Sequence, residues 1–214
     1  MKPTEISIPT LRRLPLYYQR LLDAVKNGEE FTSSSSLGRA AGATAEQVRK
    51  DLSYLAGQGR SRVGYESRKL AEIIADHLGL MNEKEAVLVG AGNLGRALAL
   101  YPGFARYGLK IIALFDSDPK KVGDQIGNLQ VQPATKMGDY IRLNKIRVGI
   151  LTTPAEAANE VAQILVSSGI KAIWNFTVTR LLVPKEVMVR NVDLSPELAV
   201  ISYFIKNIDT QSID

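Results

Sequence analysis

A glycine-rich turn is the feature that most constrains the fold of this chain. It lies in VLVGAGNLGRAL, residues 87–98, where Gly90, Gly92 and Gly95 form the pattern G-x-G-x-x-G. The turn follows a short apolar run typical of a buried strand and precedes residues with helical spacing. In dinucleotide-binding folds such glycines allow a tight turn and a close approach of the backbone to a pyrophosphate. The sequence therefore predicts a dinucleotide site, and a glycine turn in an empty Rossmann-like domain is the less favoured alternative.

The expected cofactor is NAD(H), because an acidic residue ends the next apolar run. KIIALF, residues 110–115, is followed by Asp116, whose carboxylate can accept hydrogen bonds from the ribose hydroxyls and would repel the 2′-phosphate of NADP. Lys120 and Lys121 weaken this exclusion, and Lys121 is a predicted binding residue. A helix that begins near Asn93 would direct its free N–H groups at the pyrophosphate. The remaining loop positions complete the predicted set: Ala91, Asn93 and Leu94.

The spacing of apolar residues changes near residue 85 and predicts two domains. Upstream, three segments have the spacing of short amphipathic helices: 16–25, 36–42 and 45–57. Downstream, strand-like apolar runs alternate with helical segments, which predicts an α/β fold with a doubly wound parallel sheet. The strand-like runs are 86–90, 110–115, 148–152 and 171–174, and the helical segments are 94–101, 155–168 and 196–208. With a hinge in 77–86, we expect domains at 1–80 and 81–194, then a C-terminal helix and tail at 195–214.

Side chains suited to proton transfer are sparse, which argues against an enzyme. The single histidine, His77, precedes the nucleotide domain. Tyr101, Lys136 and Tyr140 are candidate bases, but no spacing marks them as a pair. The absence of cysteine excludes disulfides and thiolate zinc sites and favours the cytoplasm. We expect no catalytic residue, no metal and no membrane partner, since no apolar run approaches the roughly 20 residues of a spanning helix.

The N-terminal region has the pattern of a DNA-binding module in a chain of net charge +5. Within residues 33–59, a turn at Gly42 separates two helical segments, and Thr44 is placed to cap the second. The glycines of the following GQGRSRVGYES suggest a short hairpin, so the region predicts a winged helix-turn-helix domain. The predicted DNA contacts lie on the second helix and the wing: Thr44, Gln47, Arg49, Lys50, Arg60 and Arg62. From the pattern alone, a small helical bundle with ordinary surface charge is an equal alternative.

Several blocks of the sequence share one family resemblance. They include QVRKDLSYLAGQG followed by VGY, GAGNLGRALALYPGF and FDSDPKKVG. LTTPAEAANEVAQILVSSGIKAIWNF and VRNVDLSPEL follow further along the chain. These blocks resemble those of the Rex family of redox-sensing transcriptional repressors, from about Pro9 to Asn207. An NAD-dependent oxidoreductase is the second hypothesis, and a CoA- or nucleotide-binding domain with a helical appendage is the third.

The resemblance to Rex implies a homodimer that binds operator DNA through paired winged helices and releases it when NADH binds. NAD+ would compete for the site without favouring release to the same degree. The later blocks imply further cofactor contacts: Thr153, Pro154, Asn175, Phe176 and Leu194. Tyr101 and Asp193 match positions associated with a hydrogen bond between subunits. The C-terminal helix, SPELAVISYFIKNI, would be exchanged between subunits, and packing within one chain is its alternative.

The chain departs from the family pattern in the wing and near the expected nicotinamide site. The family wing commonly has a glycine directly after an arginine, whereas residues 59–64 are GRSRVG, so the arginine that enters the minor groove is ambiguous. Thr177 and Val178 stand where relatives often have a proline. Leu194 replaces an aromatic residue of some relatives, which implies a purely apolar contact to the nicotinamide.

Overall fold

The structure is a computed structural model that describes residues 6–55, 63–193 and 195–211. It divides into two compact units between Asn82 and Glu83, two residues beyond the boundary placed from the sequence. The expected hinge at 77–86 is too long at both ends, since one helix ends at His77 and a strand begins at Lys84. The connection is therefore a short turn, residues 78–83, which includes Leu78, Leu80 and Met81.

Within residues 6–55 and 63–82, the N-terminal unit packs four helices around an apolar core beside a small antiparallel strand pair. The helices are α1 (Ile8–Lys26), α2 (Ser34–Ala41), α3 (Ala45–Ser53) and α4 (Ser67–His77), and the strands are β1 (Phe31–Thr32) and β2 (Tyr65–Glu66). The core is formed mainly by Leu14, Tyr17, Leu21, Leu37, Val48, Leu52, Leu70 and Ile74. Each helix contributes one apolar face to this core.

Helix α1 begins earlier than the sequence predicts. The expected segment, 16–25, begins directly after Pro15, and proline cannot donate the backbone hydrogen bond of a helix interior. The structure nevertheless carries the helix through Pro15, and Ser7 caps its start by accepting a hydrogen bond from the backbone N–H of Thr10 at 3.3 Å. Burial of Leu14 and Tyr17 on either side of the proline stabilises this turn by tertiary packing.

The predicted helix-turn-helix is confirmed. Gly42 ends α2 in the left-handed conformation, at φ 60°, and the Thr44 hydroxyl accepts a hydrogen bond from the backbone N–H of Gln47 at 3.1 Å. Tyr65–Glu66, at the C-terminal end of the predicted hairpin, pairs with Phe31–Thr32, which precedes α2. Residues 56–62, including Arg60 and Arg62, lie outside the described residues.

The C-terminal unit is a twisted sheet with helices on its faces, so the predicted doubly wound α/β fold is confirmed. Its strands are β3 (Lys84–Val89), β4 (Leu109–Asp116), β5 (Gln125–Ile126), β6 (Leu129–Pro133), β7 (Val148–Leu151), β8 (Ala172–Asn175) and β9 (Met188–Asn191). Its α-helices are α5 (Asn93–Ala99), α6 (Met137–Asn144), α7 (Ala155–Ser167) and α8 (Ser195–Gln211). Short 3-10 helices cover Pro102–Tyr107 and Ala134–Lys136.

The strand order is β5-β6-β4-β3-β7-β8-β9, with every neighbouring pair parallel except β5 and β6. The chain builds outward from β3 through β4 to one edge and then returns to β7 to build toward the other. The carboxyl ends of β3 and β7 therefore flank the switch point, where open α/β sheets bind their ligands.

The two faces of the sheet are covered differently. On one face, α6 and α7 enclose a core that includes Phe115, Ile141, Leu151, Leu165 and Ile173. On the other face, Leu88, Leu114 and Ile150 are buried, while Ile111, Trp174 and Phe176 are only partly covered. The large apolar side chains of α8 are exposed, with Leu198, Tyr203 and Ile208 more than 60% accessible. None of the helices within the described residues has the length and hydropathy needed to cross a bilayer.

Candidate functional site

The glycine turn after β3 is closed so tightly that two of its residues cannot carry a side chain. At Gly90, φ is 107°, and a Cβ atom would lie 2.7 Å from the backbone of Thr152. A Cβ atom at Gly95 would lie 1.8 Å from the carbonyl oxygen of Gly90. These glycines allow the first turn of α5 to pack onto the end of β3. Their role is to shape the loop.

Gly92 differs because the space beside it is open. A Cβ atom at this position would meet nothing within 4 Å, and the backbone, at φ −75°, is one that any residue adopts. Asn93 and Leu94 are exposed at the start of α5, where the first N–H groups have no acceptor within the helix. The fold therefore leaves room for a ligand group over Gly92.

Asp116 joins the glycine turn to the end of β4. Its carboxylate is buried and accepts hydrogen bonds from the backbone N–H groups of Ala91 at 2.7 Å and Asp118 at 2.8 Å. The Lys121 ammonium lies 3.2 Å away. Burial alone would raise the pKa of Asp116, but these hydrogen bonds and the lysine charge outweigh it and lower the pKa. The structure thus brings Ala91, Asp116 and Lys121 together beside the predicted ribose site.

The loop after β7 contributes two threonines. The Thr152 hydroxyl donates to the carbonyl of Gly90 at 2.8 Å, which ties this loop to the glycine turn. The neighbouring Thr153 Oγ1 is buried and, among the described residues, has no hydrogen-bond partner. Buried polar atoms are normally paired, so this hydroxyl is available to a ligand at the switch point. The donors and the open space over Gly92 fit a dinucleotide, and exposed Pro154 borders them.

Asn175 is the predicted contact that the structure does not bring to a ligand surface. Its side chain is fully buried, and its amide nitrogen donates to Thr179 and Asn191 while its oxygen accepts from the N–H and hydroxyl of Thr177. The residue shapes the turn at 175–179, and a direct role in binding is not supported. Proline has no N–H group, so a proline at position 177 could not donate this hydrogen bond to Asn175. This explains locally why Thr177 stands where relatives often have a proline.

The aromatic residues near this turn form a continuous series. The ring of half-buried Phe176 lies 4.9 Å from Trp174, and Trp174 lies 5.2 Å from Phe104. Phe104 in turn meets Tyr101 edge-on at 5.0 Å. The predicted nicotinamide contact Phe176 is therefore connected by packing to the predicted switch residue Tyr101. Leu194 lies outside the described residues.

Tyr101 and Asp193 are both exposed. Tyr101 precedes the 3-10 helix at Pro102–Tyr107, with 57% of its surface accessible. Asp193 accepts a hydrogen bond from the backbone N–H of Ser195 at 2.9 Å, as expected of a residue that caps the start of α8. A bond between the two residues across subunits stays a prediction.

The predicted DNA-binding residues of α3 fall into two groups. Arg49 and Lys50 are exposed, although the Arg49 guanidinium also donates to the Ser34 hydroxyl at 3.3 Å. The Thr44 hydroxyl is engaged in the cap, and the Gln47 amide donates to Asp51 at 2.8 Å. The structure therefore presents Lys50 outward but draws Gln47 toward the interior.

Asp51 is a residue that the sequence analysis missed. It is fully buried on the inner side of α3, where it accepts hydrogen bonds from α1: two from Arg13, at 2.6 and 2.8 Å, one from Tyr17 at 2.9 Å and one from Thr10 at 3.1 Å. The spacing of Val48, Asp51 and Leu52 places the aspartate on the apolar face, and this observation could have revealed it.

The charge of Asp51 should make the stability of the N-terminal unit depend on pH. Burial would raise its pKa, but hydrogen bonds from Arg13, Gln47, Tyr17 and Thr10 outweigh burial and hold the pKa at about 2. Because the folded pKa is depressed, the stabilisation is complete above the unfolded value, near 4, and is lost as the pH falls toward 2. Between pH 4 and pH 2, the free energy of unfolding of the parent chain should fall by about 2 kcal/mol more than that of the Asp51→Asn variant. Chemical denaturation at each pH measures this difference. Asp23→Asn, at an exposed position of α1, is the control and should follow the parent; identical acid profiles for the parent and Asp51→Asn would contradict the assignment.

Comparisons with known proteins support both units. Residues 81–179 match the family model described as "CoA binding domain", and residues 5–53 match "Putative DNA-binding protein N-terminus". The redox-sensing transcriptional repressor Rex of Caldicellulosiruptor bescii is 42% identical over 94% of this chain and 93% of its own length. The chain belongs to the Rex family. The Rex of Carboxydothermus hydrogenoformans is 40% identical over 96% of this chain and 99% of its own length.

Solved structures of a Rex-family repressor, RSP, extend the agreement to the fold. RSP in complex with NAD+ and operator DNA has a TM-score of 0.88 and 37% identity, and the match covers 98% of this chain and 96% of RSP. RSP in complex with NADH has a TM-score of 0.85 and 36% identity, covering 98% of both chains. The predicted family, the winged-helix and Rossmann-like architecture and the assignment to transcriptional repression rather than catalysis are confirmed.

Proposed function

We propose that this Rex protein acts in the cytoplasm as a homodimer that holds operator DNA and releases it when NADH binds. The observation that carries the proposal is the presence, in one chain of the Rex family, of a helix-turn-helix unit and a glycine turn joined to an acidic strand end. The relative RSP has been crystallised with NAD+ and operator DNA and with NADH, which supports all three ligands for this chain.

Asp116 supports NAD(H) over CoA and NADP(H) as the ligand. The hydrogen bonds from Ala91 and Asp118 keep this carboxylate ionised and fixed at the end of β4. An ionised acceptor in this position favours a ribose with free hydroxyls and repels a ribose phosphate, which both CoA and NADP carry. The "CoA binding domain" model therefore describes the fold of residues 81–179 better than it describes the ligand.

Charge discrimination at the nicotinamide would allow the protein to distinguish NADH from NAD+. A ligand shifts a two-state equilibrium only by its differential affinity for the two states. The oxidised ring carries a positive charge and the reduced ring does not, so an apolar pocket favours the reduced form. Phe176, packed on Trp174, offers such a surface, and Leu194 is the second apolar contact in the proposal.

The C-terminal helix supports a dimer in which α8 covers the partner subunit. Its apolar side chains Leu198, Ile201 and Phe204 are more than half exposed, and a monomer rarely leaves so much apolar surface open. The sheet face that contains Trp174 and Phe176 is also only partly covered. An exchanged α8 would bury both surfaces, and helix exchange is a common route to a stable dimer.

The first expected result concerns the DNA site. Lys50→Ala should weaken operator binding by about 1 to 3 kcal/mol while NADH affinity is unchanged, because Lys50 is exposed on α3 and the glycine turn belongs to the other unit. Lys171→Ala, at an exposed position of the nucleotide-binding unit, is the control and should bind operator normally. Fluorescence anisotropy with a labelled duplex measures both. Equal operator affinity for the parent and Lys50→Ala would show that Lys50 does not contact the operator.

A second expected result concerns the switch. If Tyr101 and Asp193 bond across the dimer in one state only, Tyr101→Phe and Asp193→Asn should each alter the factor by which NADH lowers operator affinity. The coupling between nucleotide and DNA is typically ~1 to 3 kcal/mol, and the double variant should lose no more of it than the larger single effect. A double-mutant cycle with and without saturating NADH tests this. Additive effects would mean that the two side chains act separately.

A further inference from the structure

The buried carboxylate of Asp51 hydrogen-bonds to side chains of both α1 and α3. It binds the guanidinium of Arg13 in a bidentate geometry, accepts the Tyr17 hydroxyl and accepts the amide of Gln47. Arg13 and Tyr17 belong to α1, which is part of the domain core, whereas Gln47 belongs to the first turns of α3. Fork-shaped pairing between arginine and a carboxylate fixes orientation as well as distance. Asp51 therefore sets the rotation of α3 about its own axis relative to α1.

The same carboxylate determines what Gln47 can do. A glutamine reads adenine in the major groove with its amide oxygen and nitrogen together. The Gln47 amide nitrogen already donates to Asp51 Oδ1 at 2.8 Å, and the side chain is half-buried. Gln47 and Lys50 line the same cavity beside α1, but only the Gln47 amide is held by the buried carboxylate, whereas Lys50 is exposed. The helix position that the sequence predicts as a base contact is occupied by an internal hydrogen bond.

We propose that Asp51 is a positioning residue for operator recognition, which fixes α3 on α1 through Arg13 and Tyr17 and withholds the Gln47 amide from the bases. The proposal rests on the proposed DNA binding of this chain. It assigns sequence recognition by α3 to its outward side chains and gives Gln47 no part in reading the bases. Asp51 acts from the interior, because its side chain is fully buried in the domain.

The proposal separates two kinds of DNA binding. Contacts to phosphates depend on the surface charge and tolerate small rotations of α3, whereas base contacts require a fixed geometry. Rotation of α3 should therefore reduce affinity for the operator but leave affinity for unrelated DNA nearly unchanged. A carboxylate that only stabilised the fold would alter the melting temperature without altering this ratio in the folded protein.

The test uses the full chain and a duplex selected from a random pool by the parent protein, compared with a scrambled duplex of equal length and composition. Below the melting temperature of each variant, Asp51→Asn should lower the ratio of the two affinities by about tenfold while binding of the scrambled duplex persists. Arg13→Lys, which keeps the charge but loses the fork, should lower the ratio in the same direction and serves if Asp51→Asn does not fold. Gln47→Ala should keep the ratio of the two affinities within about twofold of that of the parent. A change of this size is expected for a side chain that is only weakly coupled to the DNA contacts.

The outcomes distinguish this inference from the function on which it rests. An unchanged ratio in folded Asp51→Asn or Arg13→Lys would overturn the positioning role. A loss of operator affinity in Gln47→Ala of about tenfold or more, without loss on scrambled DNA, would show that Gln47 reads bases and would also overturn it. If the parent protein enriches no sequence from the pool, the proposed operator binding fails instead.

Discussion

Gly92→Val is expected to lower NADH affinity by about 10- to 100-fold and to leave the fold intact. This range of affinity loss corresponds to the cost of forced overlap in a close-packed contact. The Cβ atom at this position enters open space, so the free protein loses nothing, and the backbone is one that valine adopts. The branched side chain would instead occupy the volume proposed for the pyrophosphate. The variant should keep its melting temperature and its operator affinity but release DNA only at correspondingly higher NADH concentrations. Calorimetry and DNA anisotropy measure these properties separately.

Gly95→Ala is the contrasting variant for this prediction. Its Cβ atom would lie 1.8 Å from the Gly90 carbonyl oxygen, so the glycine turn itself must deform. We expect a lower melting temperature together with lost NADH binding, whereas Gly92→Val should show the second effect alone. NADH affinity equal to that of the parent in Gly92→Val would mean that the dinucleotide does not cross this turn.

Asp116→Ala is expected to remove most of the preference for NADH over NADPH. A hydrogen bond to a charged group contributes about 1.5 to 3 kcal/mol, so the preference should fall by about 10- to 100-fold. The loss has two parts, since the ribose hydroxyls lose their acceptor and the 2′-phosphate loses its repulsion. Lys121, which the carboxylate now holds at 3.2 Å, would in addition become available to the phosphate. Competition calorimetry with the two nucleotides measures the ratio.

Asp118→Ala is the matched control for the preference between nucleotides. Asp118 is a neighbouring acid that also lies near Lys121, but its side chain accepts from the backbone N–H of Lys120 and does not contact the glycine turn within the described residues. The preference should therefore persist in this variant. A parent-like preference in Asp116→Ala would assign recognition of the ribose to another residue.

The central part of the nucleotide-binding unit was predictable from the sequence because its signals are strong and local. The buried strands β3, β4, β7 and β8 are continuous apolar runs, and the glycine turn fixes its own neighbourhood. The strands β5, β6 and β9 were missed since they lie toward the edges of the sheet, where mixed polar residues replace the apolar run. Helix α6 was missed because it is short and only Met137 and Ile141 are buried.

The functional residues divide in the same way between local and tertiary information. Gly90, Gly92 and Asp116 have roles that follow from position along the chain. The hydrogen bonds of Gln47 and Asn175 could not be predicted from their positions along the chain, because their partners become neighbours only in the folded structure. Asp51 depends on Arg13 and Tyr17 from a distant helix, and only the tertiary arrangement shows that a charged residue on an apolar face is fully paired.

The most direct test of the proposed function is a titration of NADH into a complex of this chain with its selected, fluorescently labelled operator. Anisotropy is expected to fall as NADH saturates the protein, and NAD+ and NADPH at equal concentrations should release much less DNA. NAD+ added first should shift the NADH curve to higher concentration, because both ligands compete for one site. Retention of the operator at NADH concentrations that calorimetry shows to be saturating would contradict the proposed function.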